Sequence, residues 1–283
     1  MIKTIALSAT HMECNSLKES VPVLTDLLAF EKVAEAPGEA TLKHPNTDWL
    51  LVVHEAGAGA EPKEMHNHWG VRVQTNEEVD AAFVYLTANK EKYGIKQIGK
   101  PLYNHGSYSL YFVEPGSNGW EIECYAAALR KDSMLQRFGG VRAAHWSEPL
   151  EPERFPGRGY VPQAFTHGTL VCNNIKENWD FYTKVLGLDV HQLNDHVVYV
   201  KHPNTTRYIV CAVRTEYRVH SPNFRNTLAV ESAEAVEQAY RWLSESGPDL
   251  GVRELWPVEN KGSVRSFFLR DPGTNCWEIA SRN

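Results

Sequence analysis

Residues 103–125, YNHGSYSLYFVEPGSNGWEIECY, place the imidazole of His105, the phenol of Tyr111 and the carboxylates of Glu121 and Glu123 in one short stretch. Imidazoles and carboxylates bind divalent cations, while imidazoles and phenols exchange or donate protons. The same stretch alternates polar and apolar residues around an acidic-Pro-Gly turn, as a packed hairpin does. Two readings follow: a hairpin, or half of a metal site.

An internal repeat defines the elements that must position these groups. CNSLKESVPVLTDLLAF from Cys14 matches CNNIKENWDFYTKVLGL from Cys172, and LKHPNTDWLLVV matches VKHPNTTRYIVC, both at an offset of 158 residues. EEVDAAFVYL matches EAVEQAYRWL, and EPGSNGWEIE matches DPGTNCWEIA, at an offset of 157. Each half divides again. Leu17, Val21, Leu24 and Leu28, at helical spacing after the capping-box pair Ser16 and Glu19, predict a helix over 16–28. Val79, Ala82, Phe83 and Leu86, after Thr75 and Glu78, predict another over 76–92. An alternating strand precedes each helix, and short β-rich runs broken at Gly, Pro and Asn follow it. The unit of strand, helix and three strands occurs four times, roughly over 5–55, 66–125, 163–213 and 224–281. Domains are thus expected at 1–129 and 161–283, with the patternless, Pro- and Gly-bearing segment 130–160 as linker.

Composition narrows the function. A net charge of -6 without a Lys/Arg block gives no electrostatic footprint for nucleic acid or an anionic membrane. No window approaches the roughly 18 apolar residues of a membrane span, so a cytoplasmic protein is expected. Cys14, Cys124, Cys172, Cys211 and Cys276 lie far apart without a CxxC pair and read as buried thiols. His44 and His202, each in a KHPNT turn, read as turn residues.

The βαβββ unit, the FYTKVLGLDV helix end and the DPGTNCWEI closing strand resemble the vicinal oxygen chelate superfamily, which includes glyoxalase I, type I extradiol ring-cleavage dioxygenases and bleomycin-resistance proteins. The resemblance covers nearly all of the chain outside the linker. It implies an α+β fold whose four βαβββ modules form two half-open barrels, with metal ligands projecting from the first and last strands of modules. By this resemblance His167 fills the first-strand position of the third module, where the first module has Ala9. His68 fills that of the second, where the fourth has Arg225, and the WEI carboxylates are Glu121 and Glu278. Pairing modules within each half leaves both sites incomplete. Pairing the second with the third gathers His68, Glu121 and His167, the two-histidine, one-carboxylate set that suits Fe(II) and leaves positions open for substrate and oxygen. The first and fourth would then hold Ala9, Arg225 and Glu278, where an arginine opposes a cation. One metal per chain and modules paired across the halves are the expectation, a swap similar to that of the hydroquinone dioxygenases, although there, by the resemblance, the outer two modules carry the metal. His11, on the strand face of Ala9, is the rival third ligand or a cavity-lining residue, and Glu123 shares a face with Glu121.

HGSYSLYFVEPGSNGWE also resembles the extradiol dioxygenase signature, with Tyr111 ten residues before Glu121. That resemblance implies a tyrosine at Tyr111 that donates to a substrate oxygen. The imidazole of His105, able to exchange protons near neutrality, would hydrogen-bond the substrate oxygen or act as a base. A shortened spacing after His105 and Ser117 in place of Gly or Pro depart from the signature. Trp69, Tyr103, Tyr108 and Trp120 either shape an aromatic pocket or belong to the core. The expected activity is Fe(II)-dependent, extradiol-type cleavage of a catechol- or hydroquinone-like ring with O2, with Mn(II), Ni(II) or Zn(II) as alternative metals. The other readings are a glyoxalase-like lyase or isomerase, with His54 and Glu55 near its fourth ligand place, and a metal-free binding protein of the bleomycin-resistance kind. Expected partners are a small aromatic substrate and O2, with a homodimer or higher homo-oligomer allowed, and neither nucleic acid nor membrane.

Overall fold

The computed structural model describes residues 1–60, 67–104, 106–125, 146, 149–205, 207–216 and 218–282; His105 and most of the 130–160 linker lie outside them. The first module comprises β1 (Thr4–Cys14), α1 (Leu17–Pro22), β2 (Glu31–Ala36), β3 (Glu39–Lys43) and β4 (Leu50–Glu55). The second comprises β5 (Trp69–Arg72), α2 (Asn76–Ala88), β6 (Gln97–Ile98), β7 (Leu102–Asn104), β8 (Ser107–Val113) and β9 (Gly119–Tyr125). The third comprises β10 (Ala164–Cys172), α3 (Ile175–Lys184), β11 (Asp189–Asn194), β12 (Val197–Lys201) and β13 (Tyr208–Val213). The fourth comprises β14 (Arg225–Val230), α4 (Ala233–Ser246), β15 (Glu254–Leu255), β16 (Glu259–Lys261), β17 (Val264–Arg270) and β18 (Cys276–Arg282). The described strands form two nine-stranded sheets in a mixed α+β fold. Among the described residues, no helix is long and apolar enough to cross a membrane.

The chain gathers into two compact units, one of Glu13–Gly168 and one of Met1–Met12 with Thr169–Asn283. In the Glu13–Gly168 unit, β10 runs antiparallel to β5, β5 parallel to β9 and β9 antiparallel to β8, with β6 and β7 both paired to β8. The other unit repeats this arrangement: β1 is antiparallel to β14, β14 parallel to β18 and β18 antiparallel to β17, with β15 and β16 paired to β17. The second module therefore pairs with the third and the first with the fourth, across the halves.

The two KHPNT turns clamp these exchanged strands. His44 Nε2 bonds the Pro162 carbonyl at 3.1 Å, Asn46 Nδ2 donates to Gln163 O at 2.9 Å and Thr47 Oγ1 to Phe165 O at 3.0 Å, which holds the start of β10. In the repeat, His202 Nε2 bonds Thr4 O at 3.1 Å and Asn204 Nδ2 donates to Ile5 O at 3.5 Å, at the start of β1. In each turn the backbone N–H two residues on donates to the histidine Nδ1. That leaves Nε2 to carry the proton toward the strand.

Helix α2 follows the capping box read from sequence. Glu78 N donates to Thr75 Oγ1 at 3.2 Å, the Glu78 carboxylate accepts from Thr75 N at 3.1 Å, and the helix ends at Ala88 rather than 92. The helix expected over 16–28 is different. Ser16 makes no side-chain cap bond; Leu17 N donates instead to Glu55 Oε1 at 2.9 Å. Regular α-helix stops at Pro22, which has no N–H to donate, and a π-helical turn over Val23–Leu27 continues the path. Helix α2 buries Val79, Ala82 and Leu86 and packs on β8 and β9. Leu110, Phe112, Trp120 and Ile122 are all fully buried on one sheet face. By the two-residue alternation of a strand, Glu121 and Glu123 occupy the opposite face.

Candidate metal centre

Strand register brings the candidate ligands together. Glu121 lies opposite Tyr111 on β8 and beside Gly70 on β5, two residues after His68. Gly70 in turn faces His167 on β10, where the pairing slips by one residue between Phe165 and His167. This β-bulge re-aims side chains, a common device beside functional sites. Phe165 points into the aromatic core, stacked on Trp49 at 4.7 Å, whereas Thr166 and His167 both reach the Glu121 and Glu123 face.

The Glu121 Oε2 oxygen lies 3.1 Å from His68 Nε2 and 3.1 Å from His167 Nε2, and the two imidazole nitrogens are 3.4 Å apart. Two ligands about 2.1 Å from one cation stand about 3.0 Å apart at a right angle and about 3.4 Å apart at the tetrahedral angle. The three atoms thus already outline one face of a coordination shell, and two imidazoles with one carboxylate suit a borderline divalent metal. The side chain of His167 is 3% exposed and that of His68 12%, which sets His68 at the more open side.

Charge in the cluster is balanced locally. Burial opposes the charge of Glu121, yet the hydrogen bonds and charges of His167 and His68 hold its carboxyl well below the usual range. Burial likewise opposes the imidazolium form of His167, but Glu123 and Glu121 outweigh it and raise its pKa to about 9. A proton and a metal cation therefore compete for this carboxylate-lined position. Tyr111 packs edge-on against His68, with ring centroids 5.2 Å apart. Burial, followed by the charge of Glu121, raises its hydroxyl far above the ordinary phenol range, so it remains an O–H donor. Glu123 is not in the cluster; it bonds Arg72, whose Nη2 lies 2.6 Å from its Oε1.

The first and fourth modules build a different site at the matching place. Arg225 Nε donates to Glu278 Oε2 at 3.0 Å, and Thr227 Oγ1 donates to the same oxygen at 2.8 Å. The guanidinium lies over the Phe268 ring, 4.9 Å from its centroid, where the other site has Tyr111. His11 belongs here, its Nε2 2.9 Å from Thr227 Oγ1 and 3.6 Å from Glu278. The structure thus groups His68, Glu121, His167 and Tyr111 and places His11 in the other set. Ala9 faces Thr227, as His167 faces Gly70.

Other sequence candidates are occupied elsewhere. Trp69 and Trp120 are fully buried in the core, while Tyr103 and Tyr108 bond Asn76 and Asp80 of α2. Glu55 accepts from Leu17, and His54 lies 3.4 Å from Glu39. Sequence reasoning missed Gly70, Thr166 and Arg72. The available signal was the repeat itself, which has Thr227, Ser8 and Ala229 at these three places.

No family model matches the sequence, and no curated protein matches it. Among solved structures, a protein of Bacillus subtilis subsp. subtilis str. 168 described as a "putative dioxygenase" superposes with a TM-score of 0.63 at 13% identity, covering 100% of this chain and 86% of that one. Glyoxalase I from Zea mays superposes with a TM-score of 0.61 at 13% identity, covering 98% of this chain and 91% of its own. At such identities the likeness is one of architecture, and together with the four βαβββ modules it establishes that the chain has the vicinal oxygen chelate, or glyoxalase-like, fold.

Proposed function

We propose that the chain is a metal-dependent enzyme, an extradiol-type dioxygenase that binds Fe(II) through His68, Glu121 and His167 and opens the ring of a catechol- or hydroquinone-like diol with O2. The observation that carries this reading is the convergence of two imidazole nitrogens and one carboxylate oxygen within 4.8 Å, beside a phenol held protonated. Held by His68, Glu121 and His167, an Fe(II) ion would supply Lewis acidity toward adjacent diol oxygens and electrons toward O2. The residues do the rest. Glu121 would offset one unit of the cation's charge, and His68 and His167 would each offer an Nε2 lone pair, the metal displacing the proton that His167 otherwise holds. Tyr111, opposite Glu121 on the neighbouring strand, offers its O–H to a substrate oxygen. The base role of His105 rests on the sequence alone.

Anaerobic purification, metal analysis and O2 uptake with a panel of catechols and hydroquinones test the proposal. Iron with stoichiometric O2 consumption and a ring-opened product is expected. Nickel or zinc with no O2 demand would favour the isomerase chemistry of this fold, and a protein that takes up no metal would sink both. Tyr111→Phe should lower kcat about tenfold, the effect of one hydrogen bond of about 1.4 kcal/mol made in the transition state. Its metal content should be unchanged, as measured by steady-state kinetics alongside metal analysis.

A further inference from the structure

His167 stands between two carboxylates. Its Nε2 faces Glu121 at 3.1 Å, while its Nδ1 lies 3.4 Å from Glu123 Oε1 and 3.2 Å from Thr166 Oγ1. That same Glu123 oxygen accepts from Arg72 Nε at 3.2 Å, from Arg72 Nη2 at 2.6 Å and from the Thr166 hydroxyl at 3.2 Å. All five residues are buried. A carboxylate only accepts, and a neutral imidazole carries one N–H, so Glu123 favours the tautomer with the proton on Nδ1 and the lone pair on Nε2. Arg72 supplies the counter-charge without which a carboxylate would stand unpaired in the interior.

The repeat provides an internal control. Arg72 pairs with Glu123 across β5 and β9, and at the matching places of β14 and β18 Ala229 pairs with Ala280. The same strand pair therefore forms with two alanines where no histidine faces it, so the architecture does not require the ion pair. From this we infer that Glu123, seated by Arg72 and Thr166, is a positioning residue that orients His167 Nε2 toward the metal. This rests on the metal reading above.

The test uses Co(II) alone as the probe, in the full chain. The double variant Arg72→Ala with Glu123→Ala copies the alanine pair of the repeat and leaves no unpaired buried charge. It should melt cooperatively, bind Co(II) roughly 10- to 100-fold more weakly, as loss of an outer hydrogen-bond partner does, and show an altered visible d–d spectrum. Thr166→Val should shift affinity in the same direction, and Glu123→Gln, which keeps an acceptor oxygen, should recover part of the loss. A folded double variant with the wild-type Co(II) affinity and spectrum overturns the inference. Should the double variant not fold, an unchanged affinity in Glu123→Gln and Thr166→Val together overturns it. Wild-type protein that binds no Co(II) would instead refute the metal reading itself.

Discussion

Gly70→Ala is expected to abolish metal binding while the chain still folds. A β-carbon at position 70 would lie 2.0 Å from His167 Cε1 and 2.6 Å from each ring nitrogen. The backbone there is not in the left-handed region, so the ring alone excludes a side chain. The ring cannot retreat cheaply, because Thr166 and Glu123 hold its Nδ1 edge and the bulge fixes its Cα. Moving it takes Nε2 out of the 3.1 Å contact with Glu121. Co(II) affinity should fall more than about a hundredfold, beyond the usual effect of losing a supporting contact. Overpacking should cost about 1–3 kcal/mol, visible as a lower Tm. Adding His167→Ala to Gly70→Ala should restore the Tm without restoring the metal, the signature of two residues coupled through one space. Calorimetric titration and thermal melting of the two variants decide the matter, and wild-type affinity in Gly70→Ala would refute the packing argument.

Mild acid should weaken the fold through His44. Burial, with Arg154 adding to it and the Pro162 hydrogen bond opposing, lowers its pKa from 6.5 to about 3. The unfolded chain therefore takes up a proton at His44 that the folded chain refuses. The resulting stability is fully present above pH 6.5 and is lost as pH falls from there toward 3, on the order of 5 kcal/mol in all. His44→Gln should be less stable at pH 7, having lost its bonds to Pro162 and Asn46, but its stability should vary less between pH 7 and pH 5. Urea denaturation at several pH values measures both slopes. Parallel slopes in the two proteins would exclude His44 as the acid-sensitive group.

Module number and module boundaries were legible because they rest on whole-segment patterns. The exchange of modules between halves was expected on other grounds, the ligand places that the family resemblance implied, since only that pairing brought two histidines and a carboxylate together. What escaped detection depends on cross-strand register. The bulge at Thr166 shifts pairing by one residue, which no periodicity of a single strand records. The exchange of size between His167 opposite Gly70 and Ala9 opposite Thr227 is invisible until the strands are aligned. Alternation put His11 on the strand face of Ala9 but could not give its neighbours, Thr227 and Glu278. The Ser16 side chain makes no cap bond, and the acceptor met by the first helical N–H is Glu55, distant in sequence and so invisible to a local motif.

The clamped first strands also govern the order in which the molecule can assemble. Thr166 bonds Gly70 across 96 residues, and Ser8 bonds Thr227 across 219. During synthesis β5 is made well before β10, and β1 must remain unpaired with β14 while the 219 positions that separate Ser8 from Thr227 are added. Contacts this distant close large loops before they gain any compensating interaction, so folding is expected to be slow and to leave β1 exposed to mispairing. The KHPNT turns act as selectors at that stage. Each stands ready, once its own module has formed, to accept the backbone of one incoming strand, which turns a choice among four similar modules into a choice between two docking points.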